Sequence, residues 1–189
     1  MRQDIAVRGS RRFRSVLLMV VIPVIIGGWV SVAASPSAVA ADDAPCSTKA
    51  ESRQLDFWLG DWVVKYPGRT ATAASRVSLA LDQCLLTENW EGGNGHRGET
   101  MFAYSSDDQS WHGMFADNEG RVHLFEGKVA PGAAEFTGPS RGPNGQAVLN
   151  RIKVVRINAN KVEQSWEKSA DNGVTWTMEF QGEYSRKNP

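Results

Sequence analysis

From residue 62 onward the chain alternates. Apolar and polar residues exchange places over short runs, and Gly, Asn, Asp or Pro breaks the runs at intervals of about 8–12 residues. Nine segments read this way: "WVVKY", "ASRVSLAL", "LLTENW", "GETMFAY", "SWHGMFA", "RVHLFEGKV", "AVLNRIKVVRI", "KVEQSWEKS" and "TWTMEFQGEY", with "AEFTG" a weaker tenth. A period of two marks strands that bury one face. The linkers are short, so neighbours pair antiparallel, and a meander of this length must close into a barrel or fold into a sandwich. One segment suggests a short helix, Thr48 to Leu59: Thr48 and Glu51 have capping-box spacing, and Gly60 stands where a glycine would stop it.

The same alternation predicts register. A two-residue turn at Asp82-Gln83 sets Leu79 opposite Leu86 and Val77 opposite Glu88. Carried onward, it sets Phe102 beside Leu86, Thr100 beside Glu88, Tyr104 beside Trp111 and Phe102 beside Gly113. Through the loop at Asp117 to Gly120 it sets Phe115 against Val122 and Gly113 against Leu124. One face then holds Val77, Leu79, Leu81, Leu86, Phe102, Tyr104, Trp111, Phe115, Val122 and Leu124. The other holds Ser78, Thr87, Asn89, Glu99, His112, Arg121 and His123. A one-residue slip would scramble both sets, so their coherence supports the pairing. Near the C-terminus, Ile152, Val154, Val162, Trp166, Trp176, Met178 and Phe180 can share a face.

The first forty residues follow another pattern. Five arginines precede the apolar run "VLLMVVIPVIIGGWV", and small residues follow, ending in Ala38-Val39-Ala40. This describes a secretory signal peptide over residues 1–40, cut after Ala40, with one domain over 41–189. The alternative is an uncleaved membrane anchor over residues 16–33, weakened by Pro23 and Gly27-Gly28. The whole chain is balanced at 21 basic and 21 acidic residues. Without Asp4 and the five arginines it is acidic by four, which argues against nucleic acid or an anionic membrane as partner. Cys46 and Cys84 both fall in the exported part, and two cysteines in an oxidising compartment predict one disulfide.

Chemical motifs are sparse. No nucleophile elbow, phosphate-cradling loop or cysteine–histidine pair is visible, and "EGGNGHRG" joins two strands rather than opening a helix. His96, His112 and His123 lack metal-ligand spacing and read as surface residues, so no metal or cofactor is implied. "SADNGVTW" (Ser169 to Trp176) fits the Asp-box pattern of sialidase propellers, but a single copy reads as a turn between the last two strands. The informative residues are polar ones on the apolar face: Glu88, Thr100, Glu126 and Gln164, with Arg156 a further candidate. An inward carboxylate is costly unless paired or wet. It therefore implies either a polar pairing that fixes the fold or a solvated cavity with oriented groups. A catalytic pair, Glu88 with Glu126, is a third reading, in which burial would raise one pKa.

At Gly60-Asp61-Trp62 the chain resembles a lipocalin, whose barrel begins with a helical turn and a G-x-W that closes one end. More closely, "QLDFWLGDW", "CLLTENWEG", "QSWHGMF" and "QSWEKSADNGVTWTMEFQGEYSRK" resemble a family of exported bacterial proteins of unknown function with an F-D-F-W-x-G-x-W opening. The resemblance implies an all-β, up-and-down antiparallel lipocalin-like (calycin) barrel of eight to ten strands with a short N-terminal helix. It brings no activity. Leu55 replaces the usual aromatic, and Gly113 and Phe115 stand where related chains often carry a polar residue and a Trp.

These readings converge on an exported barrel that binds a small apolar or aromatic molecule in its lumen. The candidate ligand-binding residues are Glu88, Trp90, Trp111, Phe115, Glu126, Gln164 and Trp166. Two alternatives stand beside it: a hydrolase or isomerase using Glu88 and Glu126, and an interaction module with a filled core.

Overall fold

A computed structural model describes residues 45–188; the leader-like segment 1–40 lies outside the described residues. Ten strands follow one another as β1 (Gly60–Lys65), β2 (Thr72–Ala80), β3 (Leu85–Glu91), β4 (Arg97–Ser105), β5 (Ser110–Asp117), β6 (Val122–Ala130), β7 (Ala133–Arg141), β8 (Ala147–Asn158), β9 (Lys161–Ser169) and β10 (Thr177–Arg186). Each pairs antiparallel with the next, and β1 pairs with β10, so the sheet is a closed up-and-down barrel. Both strands flanking the weak "AEFTG" signal and that segment itself are ordinary members of the sheet. Closure leaves no unpaired edge.

The helical segment before β1 takes the form of three successive one-turn 3-10 helices, Cys46–Thr48, Glu51–Arg53 and Asp56–Trp58. The expected capping box is not formed: Thr48 Oγ1 donates to the Pro45 carbonyl at 2.8 Å, and no side chain caps any of the three turns. The reason lies in what must be buried. Ser52, Leu55 and Trp58 are the buried residues, three apart, which matches the three residues per turn of a 3-10 helix rather than 3.6. The segment thus lies across one end of the barrel. There Trp62 donates from Nε1 to the Trp58 carbonyl at 2.9 Å, and Trp58 packs on Phe102 and Tyr184 with ring centroids 6.4 Å apart.

Cys46 and Cys84 are joined, with Cα atoms 5.5 Å apart. Cys84 ends the β2–β3 turn, in which Leu81, Asp82 and Gln83 all have positive φ. Leu81 belongs to that turn and is 72% exposed, not inward as expected. Arg53 reaches the same turn through Gln83. The bridge therefore fastens the 3-10 segment to the base of the barrel.

Register follows the alternation through β5. Val77 faces Glu88, Leu86 faces Phe102, Thr100 faces Glu88 and Tyr104 faces Trp111. Between β5 and β6 the expected pairing is off by one: Phe115 meets His123 and Gly113 meets Phe125. The cause is a three-residue loop, closed by Asp117 N–H to the Arg121 carbonyl at 3.1 Å, with Gly120 at φ +82°. A type I turn followed by a left-handed glycine is a common hairpin geometry. It needs one residue more than was counted. Val122 and Leu124 consequently face outward, while His123 and Phe125 face inward. A second irregularity lies in β10, where the register with β9 shifts between Met178 and Phe180. It turns Met178 out to solvent and keeps Phe180 inside. Trp176 also leaves the inward set: Arg151 stacks over its ring at 3.9 Å.

The half of the barrel near Trp62 is filled. Phe102 and Phe136 stack at 4.3 Å, and Leu55, Val64, Val154 and Val162 are fully buried around them. Glycines make room for this crowding. A Cβ on Gly113 would collide with the Phe102 ring, and one on Gly98 with the ring of Phe115. Small barrels alternate small and large inward residues in this way.

Candidate functional site

Above the filled half, toward the end opposite Trp62, the barrel holds a cavity of about 250 Å³. Its aromatic walls are Trp90 on β3, Phe115 on β5, Trp166 on β9 and Phe180 on β10; its floor includes Glu88, Thr100, Ile152 and Gln164. These side chains converge because each is the inward residue one or two pairs above the packed core in its strand. The rings support one another at their edges. Trp166 meets Phe115 at 5.2 Å and His123 at 5.0 Å, and Trp90 meets Phe180 at 6.1 Å, all nearly perpendicular. Edge-to-face packing of this kind orients rings while leaving faces free. Trp166 is fixed further by Nε1 donating to Asn150 Oδ1 at 3.0 Å, and Asn150, itself fully buried, donates from Nδ2 to Ser140 Oγ at 2.7 Å.

Glu88 is 2% exposed. Ser75 Oγ donates to its Oε1 at 2.7 Å, Thr100 Oγ1 to Oε2 at 3.2 Å, and the Tyr184 hydroxyl lies 3.3 Å from Oε1. Gln164 Oε1 is the second acceptor beside that hydroxyl, so its single proton is shared between Gln164 and Glu88. Burial pushes the Glu88 carboxyl from 4.5 up to about 7, against the opposing hydrogen bonds from Ser75, Thr100 and Tyr184. Burial likewise pushes Tyr184 well above its ordinary value, and the neighbouring carboxylate adds to the effect. Four polar groups from β2, β3, β4 and β10, with Gln164 from β9, thus form one buried network.

A charged rim surrounds the opening. Asp117 accepts from Arg121 Nε at 2.6 Å, from the amides of Arg121 and Glu119 at 2.9 and 3.0 Å, and faces His96 Nε2 at 3.0 Å. Burial alone would raise its carboxyl, but these donors outweigh it and hold Asp117 well below the usual range. Lys168 pairs with Glu179 at 2.9 Å. His96 packs edge-on against Trp90 at 5.1 Å. His123 is lowered by burial first and by Lys168 and Arg121 next, which keeps it neutral near pH 7.

Of the seven residues predicted from sequence, five meet at this cavity: Glu88, Trp90, Phe115, Gln164 and Trp166. Two do not. Glu126 lies on the outer face, exposed, because of the register slip at Asp117–Arg121, so the carboxylate pair is not assembled. Trp111 faces inward but at the filled end, 3% exposed, with Nε1 donating to Gln54 Oε1 at 3.0 Å. Its indole anchors the 3-10 segment. Arg156 also sits at that end, over Phe57 at 6.0 Å. His96 and His123 were read as surface residues and instead line the cavity; His112 is exposed and bonded to Asp108 at 2.7 Å. Sequence reasoning missed Tyr184, although the alternation from Phe180 through Gly182 puts it on the inward face, and nothing in the local pattern marks Asn150.

The Asp-box segment is the turn that joins β9 to β10, between the rim residues Lys168 and Glu179. Asp171 accepts from Thr175 Oγ1 at 2.6 Å, from the Thr175 amide at 2.8 Å and from Ser169 Oγ at 2.7 Å, which lowers its carboxyl to about 2. Asn172 and Gly173 supply positive φ, and Trp176 Nε1 donates to the Gly173 carbonyl at 3.0 Å. The side chains of Ser169, Asp171, Thr175 and Trp176 are thus used in holding the loop.

No protein-family model matches this chain, and no curated protein matches it in sequence.

Proposed function

We propose that the protein is an exported carrier or sensor that binds a small, largely apolar molecule with an aromatic ring in the open half of its barrel. The observation that carries this reading is the aromatic-walled cavity standing directly on the buried Glu88 network. A volume of about 250 Å³ equals the space of roughly eight waters at ~30 Å³ each. It lies just under the range usual for drug-sized ligands. A one-ring or compact two-ring molecule suits it; a long acyl chain does not. Two further groups support a ligand. Trp90 Nε1 and His123 Nδ1 are buried without a hydrogen-bond partner, and both residues line the cavity. Unpaired buried polar atoms are uncommon in finished cores. Export rests on the leader-like N-terminus and is supported by the Cys46–Cys84 bridge, which belongs to oxidising compartments.

The test is titration of intrinsic tryptophan fluorescence with single-ring and two-ring aromatic compounds, together with native mass spectrometry of protein purified from its own source. A saturable change that requires Trp90 or Trp166 is expected. Absence of any retained mass and of any response across the panel would leave a structural module as the better account.

A further inference from the structure

Glu88 is a buried carboxylate without a cation. Its three partners are the hydroxyls of Ser75, Thr100 and Tyr184, and no Lys or Arg pairs with it among the described residues. Arg156 and Arg186 both serve the filled end, Arg186 donating to the Leu59 carbonyl at 2.8 Å. Hydroxyls stabilise a carboxylate but do not neutralise it. An ionised acid in such a place is costly unless a positive charge arrives beside it. Above it stand four aromatic rings, whose faces attract cations. A carboxylate at the base of an aromatic box has the two components that hold an organic ammonium ion.

The rim agrees. Arg121 and Lys168 are the fixed cations at the opening, and each is already matched. Arg121 pairs with Asp117 and Glu119, at 2.6 and 2.9 Å, and Lys168 pairs with Glu179. Among the residues lining the opening, Asp117 and Glu179 balance Arg121 and Lys168, so an entering ammonium ion meets no net repulsion. An anionic ligand would meet the carboxylate of Glu88 at the floor.

We infer that the lumen recognises a small aromatic amine, its ring between Trp90, Phe115, Trp166 and Phe180 and its ammonium paired with ionised Glu88. This rests on the lumen being a ligand site and specifies the chemistry of what enters. Because free Glu88 titrates at about 7, binding of a cation near neutral pH expels its proton. Affinity therefore rises about tenfold per pH unit below 7 and levels off above it. A neutral ligand that accepts a hydrogen bond from protonated Glu88 shows the reverse slope. The other titratable groups facing the cavity are Tyr184, His96, His123, Asp117, Lys168 and Glu179.

The experiment is isothermal titration of the disulfide-bonded protein with benzylamine, 2-phenylethylamine and tryptamine, beside the neutral 2-phenylethanol and the anionic 3-phenylpropionate, from pH 5 to pH 8. An amine binding at least tenfold tighter than the alcohol is expected, with affinity rising to pH 7 and a heat that depends on buffer ionisation. The pH step persists in His96→Gln and His123→Gln and is lost in Glu88→Gln, together with at least tenfold of the amine affinity but not the weak binding of the alcohol. The wild-type pH profile and buffer dependence stand even if Glu88→Gln does not fold. Alcohol or acid binding as tightly as the amines, or amine affinity that falls or stays flat with rising pH, overturns the proposal while leaving a ligand site in the lumen. No binding by any of the five overturns it and counts against that site as well.

Discussion

Tyr184 on the last strand places its hydroxyl 3.3 Å from Oε1 of Glu88, a residue 96 positions earlier in the chain. The contact crosses the closed barrel and ties the floor of the cavity to the strand that completes the sheet. Tyr184→Phe removes a donor from a fully buried acid. Its expected cost is about 1–3 kcal/mol, read from urea denaturation. The Glu88 carboxyl should also titrate higher still, which a carboxyl infrared titration reports.

Glu88 gives stability a pH dependence of definite sign. Its folded pKa is raised, so its contribution is complete below about 4.5 and is lost as pH rises through about 7. The loss is on the order of 3 kcal/mol from the size of the shift. Glu88→Gln should remove that component and flatten the stability profile between pH 4.5 and pH 8. A profile identical to the wild type would show that Glu88 does not titrate in this window. Asp117 acts in the opposite sense, its lowered carboxyl contributing stability that disappears only in stronger acid.

The indoles divide by position. Trp90 and Trp166 line the cavity, whereas Trp111 is bonded to Gln54 at the filled end. Trp90→Phe and Trp166→Phe should each diminish a ligand-induced fluorescence change, and Trp111→Phe should preserve it. Trp111→Ala, by contrast, should cost about 3–5 kcal/mol through an unfilled space in the base.

Much of this was legible in the sequence, and the exchanged faces in β6 and β10 share one physical origin. From Val77 to Trp111 the strands alternate cleanly and their turns are short, so pairing could be counted residue by residue. The count failed at Asp117–Arg121 because a left-handed glycine and an Asp-bound turn absorb one extra residue. A period-two pattern converts that single residue into an exchange of faces. His123 and Phe125 went in, and Glu126, the second carboxylate of the enzyme reading, went out. The extra residue between Met178 and Phe180 did the same to Met178. Asn150 was missed for a different reason: it is an inward polar group justified only by Trp166 and Ser140, residues on two other strands.

The disulfide offers a measurement independent of any ligand. Cys46 and Cys84 are 38 residues apart, and a cross-link over such a loop contributes about 2–4 kcal/mol, chiefly by restricting the unfolded chain. Reduction, or a Cys46→Ser/Cys84→Ser pair, should lower the urea midpoint accordingly. The slope of the transition should rise, since the unfolded chain freed of its cross-link exposes more surface.

The pairing of β1 with β10 also governs when the molecule can fold. Strand β1 begins at Gly60 and its partner ends at Arg186, so the sheet cannot close until β10 has been synthesised. Contacts of such long sequence separation are formed late and make folding slow. Until β10 docks, Glu88 lacks Tyr184, and β1 and β9 each present an open edge. The floor of the cavity and the closure of the sheet are therefore completed in the same step.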